Sequence, residues 1–391
     1  MKQIIGSPAR KEQFYKREDI RDDILNSIEN GENILISAPR RVGKTSILLD
    51  LIDNPDPNVF AVYINTEAIE DPEDFFKLML KNVLNTDRIE GFGKFGKVTR
   101  DFLTKWGNII GGINIGGVGI EIKEGEKVSY FNQLLEFLSD IKLEGKRIVI
   151  LVDEFPITIE HINRKYGENG VRLFLDQNRA IRQNPDFQEK VKFIYCGSIG
   201  LFTVIKRLKA TDRINDVREI KIAALRKNDA IDFINNLLLE KTGMTADTKL
   251  MSYILHKIEW WIPFYFQLLV KELSDLINYD EEGWVNATVD KAFENVVKNG
   301  NIYFEHAKAR LDKIENINEA AFKKEVLFKL SQNDVMKENE LLNLAEKHLV
   351  RNEFDNYIDE LIFEGYIIDE LKPNGDKQYK FYSPILKRWW R

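Results

Sequence analysis

Short, largely apolar runs recur along this chain at residues 33–37, 59–65, 147–154, 191–198 and 219–225. Runs of that length fit strands buried on both faces of a parallel sheet, where no side chain has to alternate out to water. Between them the apolar positions change to helical spacing. Ile20, Ile24, Leu25 and Ile28 lead to Gly31, a residue suited to a helix end. Helices are expected over 46–52, through Phe75, Phe76, Leu78, Met79, Val83 and Leu84, and near 171–182. Strand and helix in alternation predict an α/β fold around a parallel sheet. Residues 87–128 interrupt the alternation. There Phe95, Val98, Phe102 and Trp106 fall at helical spacing, and 113–122 suit a hairpin turning at Gly116-Gly117.

From Lys227 the pattern stays helical to about residue 365, with Pro263 at a position suited to a helix start. Helices near 321–332, 338–347 and 353–364 precede Gly365-Tyr366-Ile367-Ile368, a turn at 373–376, and Tyr379–Tyr382. Three helices followed by a β-hairpin is the winged-helix order. The expected organisation is a core of residues 1–226 carrying the 87–128 insertion, a helical lid of 227–315, and a winged helix of 316–391.

At 391 residues the chain has ample length for two or three domains. A formal net charge of −6 argues against a protein that coats nucleic acid through general basicity. The single cysteine, Cys196, lies in an apolar run and cannot form an intrachain disulfide, which fits a reducing compartment. The first residues lack the apolar core of a signal peptide, and no run reaches the length of a membrane-spanning helix. A soluble, cytoplasmic protein with no membrane partner is expected.

The candidate chemistry begins after the first apolar run. Ala38, Pro39, Arg40, Arg41, Val42, Gly43, Lys44, Thr45 and Ser46 fit the phosphate-loop template between a strand and a helix, with Ala38 in the place of its first glycine. Backbone N–H groups and the new helix terminus suit a polyphosphate. Gly43 allows close backbone approach, Lys44 reaches the β and γ oxygens, and Thr45 offers a hydroxyl to Mg²⁺. The run at 147–154 ends in Asp153 and Glu154, where ligands bind in open α/β sheets. Asp153 suits Mg²⁺ held through a water, and Glu154 suits orientation and deprotonation of an attacking water. The two motifs together describe a site for ATP and Mg²⁺.

Ser198, after the 191–198 run, offers a hydroxyl to the γ-phosphate or the attacking water. Arg179, Arg182, Arg207, Arg213 and Arg218 lie around that run; each suits either a surface arginine or an arginine finger acting in cis or from a neighbouring subunit, with Arg182 the candidate. Phe14 and Arg17, upstream of the loop, suit a cover for the adenine, and Phe14 suits core packing equally. Lys94, Lys97, Arg100 and Lys105 interleave with the aromatics of the insertion, a pattern that suits either nucleic acid or a solvated helix face, the second being favoured.

Assembled, these residues resemble the prokaryotic P-loop ATPases related to the AAA+ and STAND groups, including the archaeal-type ATPases. The resemblance rests on Phe14–Arg17, 38–46, Asp153-Glu154, Gly197-Ser198-Ile199-Gly200, Ile262-Pro263 and the closing 382–390. It implies a parallel sheet with helices on both sides, a helical lid and a C-terminal winged helix. It also implies that Lys44, Thr45, Asp153, Glu154 and Ser198 take the roles given above, and that Pro263 touches the nucleotide from the lid. Trp261 stands where that family's lid motif has glycine. The implied activity is Mg²⁺-dependent ATP hydrolysis that sets the arrangement of the domains, in a regulatory switch with a protein partner or a second copy of the chain. The alternative is a DNA-handling loader or regulator acting through the winged helix. The helix at 353–364 carries five carboxylates and no lysine or arginine, so protein contact is favoured over DNA.

Overall fold

In a computed structural model, the described residues are 1–85, 129–141, 143, 145–197, 200–280, 283–373 and 375–391. The expected helix and hairpin at 87–128 lie outside them, as does Ser198. Contacts divide the chain into two compact units, one of residues 17–37 and 47–221, the other of residues 1–16, 38–46 and 222–391.

The first unit is built on five strands, β1 (Asn33–Ser37), β2 (Val59–Asn65), β3 (Arg147–Asp153), β4 (Val191–Cys196) and β5 (Val217–Lys221). They lie in the order β2-β3-β4-β1-β5, every pair parallel. Parallel pairing places all the carboxyl ends on one edge of the sheet. The unit's helices are α1 (Glu18–Glu29), most of α2 (Lys44–Asp53), α3 (Pro72–Asn85), α4 (Tyr130–Asp140), α5 (Phe155–Arg182) and α6 (Leu201–Arg207). One core joins Val62, Ile64, Ile148, Ile150, Val152, Phe193 and Tyr195 of the sheet to Phe75 and Phe76 of α3, Phe137 of α4, and Phe155 and Phe174 of α5. Within it Phe75 meets Phe174 edge-on at 5.0 Å, a favoured aromatic geometry. The intervening sheet positions Ile34, Ile36, Val149, Leu151, Ile194 and Cys196 are buried too, so both faces are covered. That is why β1, β3 and β4 are largely apolar, whereas the edge strand β5 carries exposed Arg218, Glu219 and Lys221.

Two expectations shift. The last strand spans Val217–Lys221 rather than 219–225 and pairs with β1 from Asn33↔Val217 to Ser37↔Lys221. The apolar residues beyond it, Ile222 and Leu225, are buried in the other unit, where Leu225 N–H donates to the Trp261 carbonyl at 2.8 Å. The helix expected near 171–182 is present and is preceded by a further helical stretch that begins at Phe155. Gly167 (φ 68°, ψ −177°) kinks α5, and Phe155, Ile159 and Ile162 bury one face of its first half.

The second unit centres on α9. Its helices are α7 (Lys227–Thr242), α8 (Thr248–Ile258), α9 (Pro263–Tyr279), α10 (Asn286–Asn299), α11 (Asn301–Asp312), α12 (Ile317–Gln332), α13 (Glu338–Lys347), α14 (Phe354–Phe363) and α15 (Pro384–Trp390). Pro263 opens α9 at its first helical position, where no N–H partner is needed. From Phe264 to Val270 every residue of α9 is buried, as expected of a helix surrounded by others. Buried Gln267 ties the N-terminal segment to it, accepting from Ile4 N–H at 2.9 Å while its carbonyl accepts from Gln3 at 2.7 Å. Strands β6 (Met336–Lys337), β7 (Ile367–Leu371) and β8 (Lys377–Phe381) form a small antiparallel sheet in the order β6-β8-β7. Trp260 stacks on Tyr382 at 4.1 Å and 16°, and Trp390 packs on Tyr366 and Phe381. Residues 227–315 and 316–391 therefore fall in one compact unit.

Candidate functional site

The loop that follows β1 belongs to the second unit. Arg41 (φ 66°) and Gly43 (φ 108°) both take the left-handed conformation. A Cβ on Gly43 would meet nothing within 4 Å, so the backbone angle, not space, requires glycine there. Lys44 is 7% exposed, and its Nζ donates to the carbonyls of Ala38 and Pro39, each at 2.9 Å. The ammonium is thus folded over its own loop. Ser46 is buried and accepts the Ala9 N–H at 2.9 Å, bracing the N-terminal segment, while the adjoining Thr45 is half-buried. Exposed Arg41 holds its guanidinium 3.9 Å above the Phe264 ring and donates to the Tyr303 carbonyl at 2.7 Å. Ala38 and Val42 are buried, and Pro39 and Arg40 half-buried. A Cβ on Gly365 would come within 3.3 Å of Pro39 and 2.6 Å of Trp260, so this glycine permits a close approach to the loop.

Phe264, Tyr303 and Gly365 were not marked by any motif. Phe264 adjoins Pro263, the proline singled out from the sequence, but it is Phe264 that reaches Arg41. Phe14 is half-buried, and its neighbour Tyr15 packs edge-on against Phe233 at 5.5 Å.

In the first unit, Asp153 ends β3 at 2% exposure. Tyr63 Oη donates to its Oδ2 at 3.0 Å, and Glu154 N–H donates to its Oδ1 at 3.1 Å. Burial, and then the Asp153 charge, push the Tyr63 hydroxyl well above its ordinary value, so it stays a neutral donor. Thr66 clamps the Asp153 carbonyl through its N–H (3.0 Å) and its Oγ1 (2.9 Å). Buried Thr158 in turn donates to the Thr66 carbonyl at 2.7 Å. The backbone of the carboxylate pair is therefore held from β2's end and from α5.

Glu154 sits at φ 59°, ψ 28°, a left-handed conformation costing a non-glycine residue about 1–3 kcal/mol. The turn lifts its carboxylate off the strand direction and opens α5. Gly197, at the end of β4, lies against it: a Cβ there would meet Pro156 Cδ at 2.4 Å, with Glu154 Cα at 3.7 Å.

Arg182, the candidate finger, is a structural arginine. Its side chain is 1% exposed. It donates to both carboxylate oxygens of Asp216 at 2.8 Å, to the Arg213 carbonyl at 2.7 Å and to Tyr195 Oη at 3.3 Å. No surface is left with which to enter another site. Arg213 pairs with Asp176 (3.0 Å), Arg218 with Asp23 (2.9 Å) and Glu32 (3.1 Å), Arg207 with Glu160, and Arg179 donates to the Asp212 carbonyl. Arg17, before α1, is largely buried with its Nε 3.9 Å from Asp19.

No protein-family model matches the sequence, and no curated protein matches it. Solved structures do. A Walker-type ATPase of Pyrococcus abyssi is similar over 99% of both chains, with a TM-score of 0.62 at 17% identity. The ORC2 protein of Aeropyrum pernix, solved in ADPNP-ADP complexes, is similar over 93% of this chain and 88% of its own, with a TM-score of 0.53 at 11% identity. A parallel sheet in the order β2-β3-β4-β1-β5, a phosphate-loop sequence after β1 and two carboxylates after β3 thus belong to the α/β fold of the P-loop NTPases.

Proposed function

We propose that this chain binds and hydrolyses ATP with Mg²⁺ and acts as a regulatory switch. The observation that carries the reading is that a chain with a P-loop NTPase fold has both a phosphate-loop sequence closed by Lys44 and a strand ending in Asp153 and followed by Glu154. Loop N–H groups and Lys44 bind the phosphates. Thr45 and Asp153 are the residues that would hold Mg²⁺, a cation that takes oxygen ligands and few protein groups; a hydrogen-bonded carboxylate at a strand end fits it. A Mg²⁺ ion held by these residues would supply neutralisation of the charge on the transferred phosphoryl group. Glu154 accepts the proton of the attacking water at its carboxylate, and Ser198 stays proposed as a γ-phosphate contact. The loop's anchorage on Phe264 and Tyr303 supports the switch: a loop that rearranges around phosphate alters contacts made by α9 and α11.

Lys44→Ala should abolish ATP binding, while Glu154→Gln should retain it and lose about 10²–10⁴ in turnover. Calorimetry and phosphate release on both variants test this. Wild-type turnover in Glu154→Gln would remove its role.

Residues 316–391 we read as a winged helix that contacts protein. Four of its hairpin and tail cations are engaged by the chain's own carboxylates: Lys380 by Glu370 (2.7 Å), Lys377 by Asp369 (3.4 Å), Lys387 by Asp334 (2.7 Å) and Arg388 by Glu294 (3.7 Å). On α14, Asp355 and Asp359 are exposed, and that face repels phosphate.

A further inference from the structure

The carboxylate pair has a neighbour that no motif includes. Tyr63 lies on β2, paired in register with Leu151, while Asn65 is paired with Asp153. Side chains two residues apart on a strand share a face, so Tyr63, Asn65, Leu151 and Asp153 all point the same way. Tyr63 therefore reaches Asp153 on the diagonal, which takes a side chain of its length with a donor at the tip. Its Oη meets Oδ2 at 3.0 Å.

Asn65 Oδ1 accepts the Glu67 N–H at 2.9 Å, and the Asn65 side chain also bonds the Tyr63 hydroxyl. The Tyr63 hydroxyl donates its proton to Asp153 Oδ2. Oδ1 accepts the Glu154 N–H. The carboxylate is gripped at both oxygens, from β2 on one side and from the residue that opens α5 on the other.

We propose that Tyr63 is the positioning residue of the metal ligand: by donating to Oδ2 it sets the rotation of the Asp153 carboxylate and thereby the strength with which this chain takes up Mg²⁺ alongside ATP. The proposal rests on the ATP and Mg²⁺ reading above. Partners in this outer position change metal affinity about 10- to 100-fold when removed.

Tyr63→Phe keeps the ring and deletes only the donor. Mg²⁺ is titrated calorimetrically into protein loaded with a non-hydrolysable ATP analogue, and turnover is measured across Mg²⁺ concentrations. The expected result is an unchanged affinity for the analogue without metal, an apparent Mg²⁺ affinity about 10-fold weaker or more, and turnover restored at high Mg²⁺. Asn65→Ala should shift the titration in the same direction by less. Wild-type Mg²⁺ dependence in Tyr63→Phe overturns the proposal, and so does a loss of turnover that Mg²⁺ does not restore, which would mark a packing role. Asp153→Ala separates the two levels. If it loses Mg²⁺ uptake while Tyr63→Phe does not, only the role of Tyr63 falls; if it titrates like wild type, the metal assignment fails and takes the proposal with it.

Discussion

Replacing Arg182 by alanine should unfold this protein at a lower temperature rather than disable its chemistry. The guanidinium makes four hydrogen bonds inside the first unit, two of them to Asp216 and one each to Tyr195 and the Arg213 carbonyl. Removing one partner of a buried ion pair costs about 3–5 kcal/mol, because the other charge stays behind. Asp216 keeps 18% of its side chain exposed, so water hydrates part of the stranded carboxylate and the lower figure, about 3 kcal/mol, applies. At about 2–4 °C per kcal/mol for a unit of this size, Tm should fall by about 6–12 °C. Arg182→Met with Asp216→Leu, which removes both charges, should recover most of the loss.

The pH dependence supplies a second readout. Burial alone would raise the Asp216 carboxyl, but the hydrogen bonds and charge of Arg182 outweigh it and hold the group below its ordinary value. A depressed folded pKa contributes stability above the unfolded value, near 3.9, and that contribution is lost as pH falls through the folded value. Wild type should therefore lose this increment on acidification, and Arg182→Ala should not. Thermal unfolding between pH 3 and 7, with phosphate release measured below the melting temperature, tests the argument. An unchanged Tm together with a 10³-fold loss of turnover would refute it and restore the arginine finger.

Gly197→Ala should cost about 1–3 kcal/mol, since the new methyl meets the rigid Pro156 ring at 2.4 Å and displaces the start of α5. It should also slow phosphate release with ATP binding intact, because Glu154 sits on that turn; a variant with wild-type Tm and rate would show that the contact is relieved without consequence. Titration of the whole chain with duplex DNA at several salt concentrations should give weak, sequence-independent, salt-sensitive binding at most, and tight sequence-specific binding would favour the DNA-handling alternative.

The fold was legible where burial is uniform. Residues 33–37 and 147–153 are strands covered on both faces of the sheet, which a continuous apolar run reveals without any knowledge of partners, while 59–65 is an edge strand buried on the face of Val62 and Ile64. The run at 219–225 misled because its two halves serve different cores: Ile220 lies in β5, while Ile222 and Leu225 are buried in the other unit. Hydrophobicity records that a residue is buried, not which core it enters. The break at Gly167 hid the first half of α5 for a related reason, since a helix with a kink and two separate apolar stripes resembles a loop followed by a short helix.

In the candidate site, the legible residues are those whose role depends on the local backbone. Gly43 needs φ 108° wherever its neighbours lie, and Asp153 and Glu154 follow a strand whose end is readable from composition. The illegible ones depend on a partner far along the chain. Arg182 looked like any exposed arginine until Asp216, 34 residues on, was found to take both sides of its guanidinium. Arg41 was placed as a loop residue, and only the approach of Phe264 and Tyr303 makes it an anchor. Tyr63 is the clearest case, because its contact with Asp153 requires parallel pairing of β2 with β3, a register of Asn65 against Asp153, and a two-residue diagonal. A shift of that register by one residue would turn Tyr63 to the opposite face of the sheet and leave Asp153 without its donor. On the proposed reading, the motif specifies which atoms would meet the phosphate and the metal, while strand register determines which neighbour holds the Asp153 carboxylate.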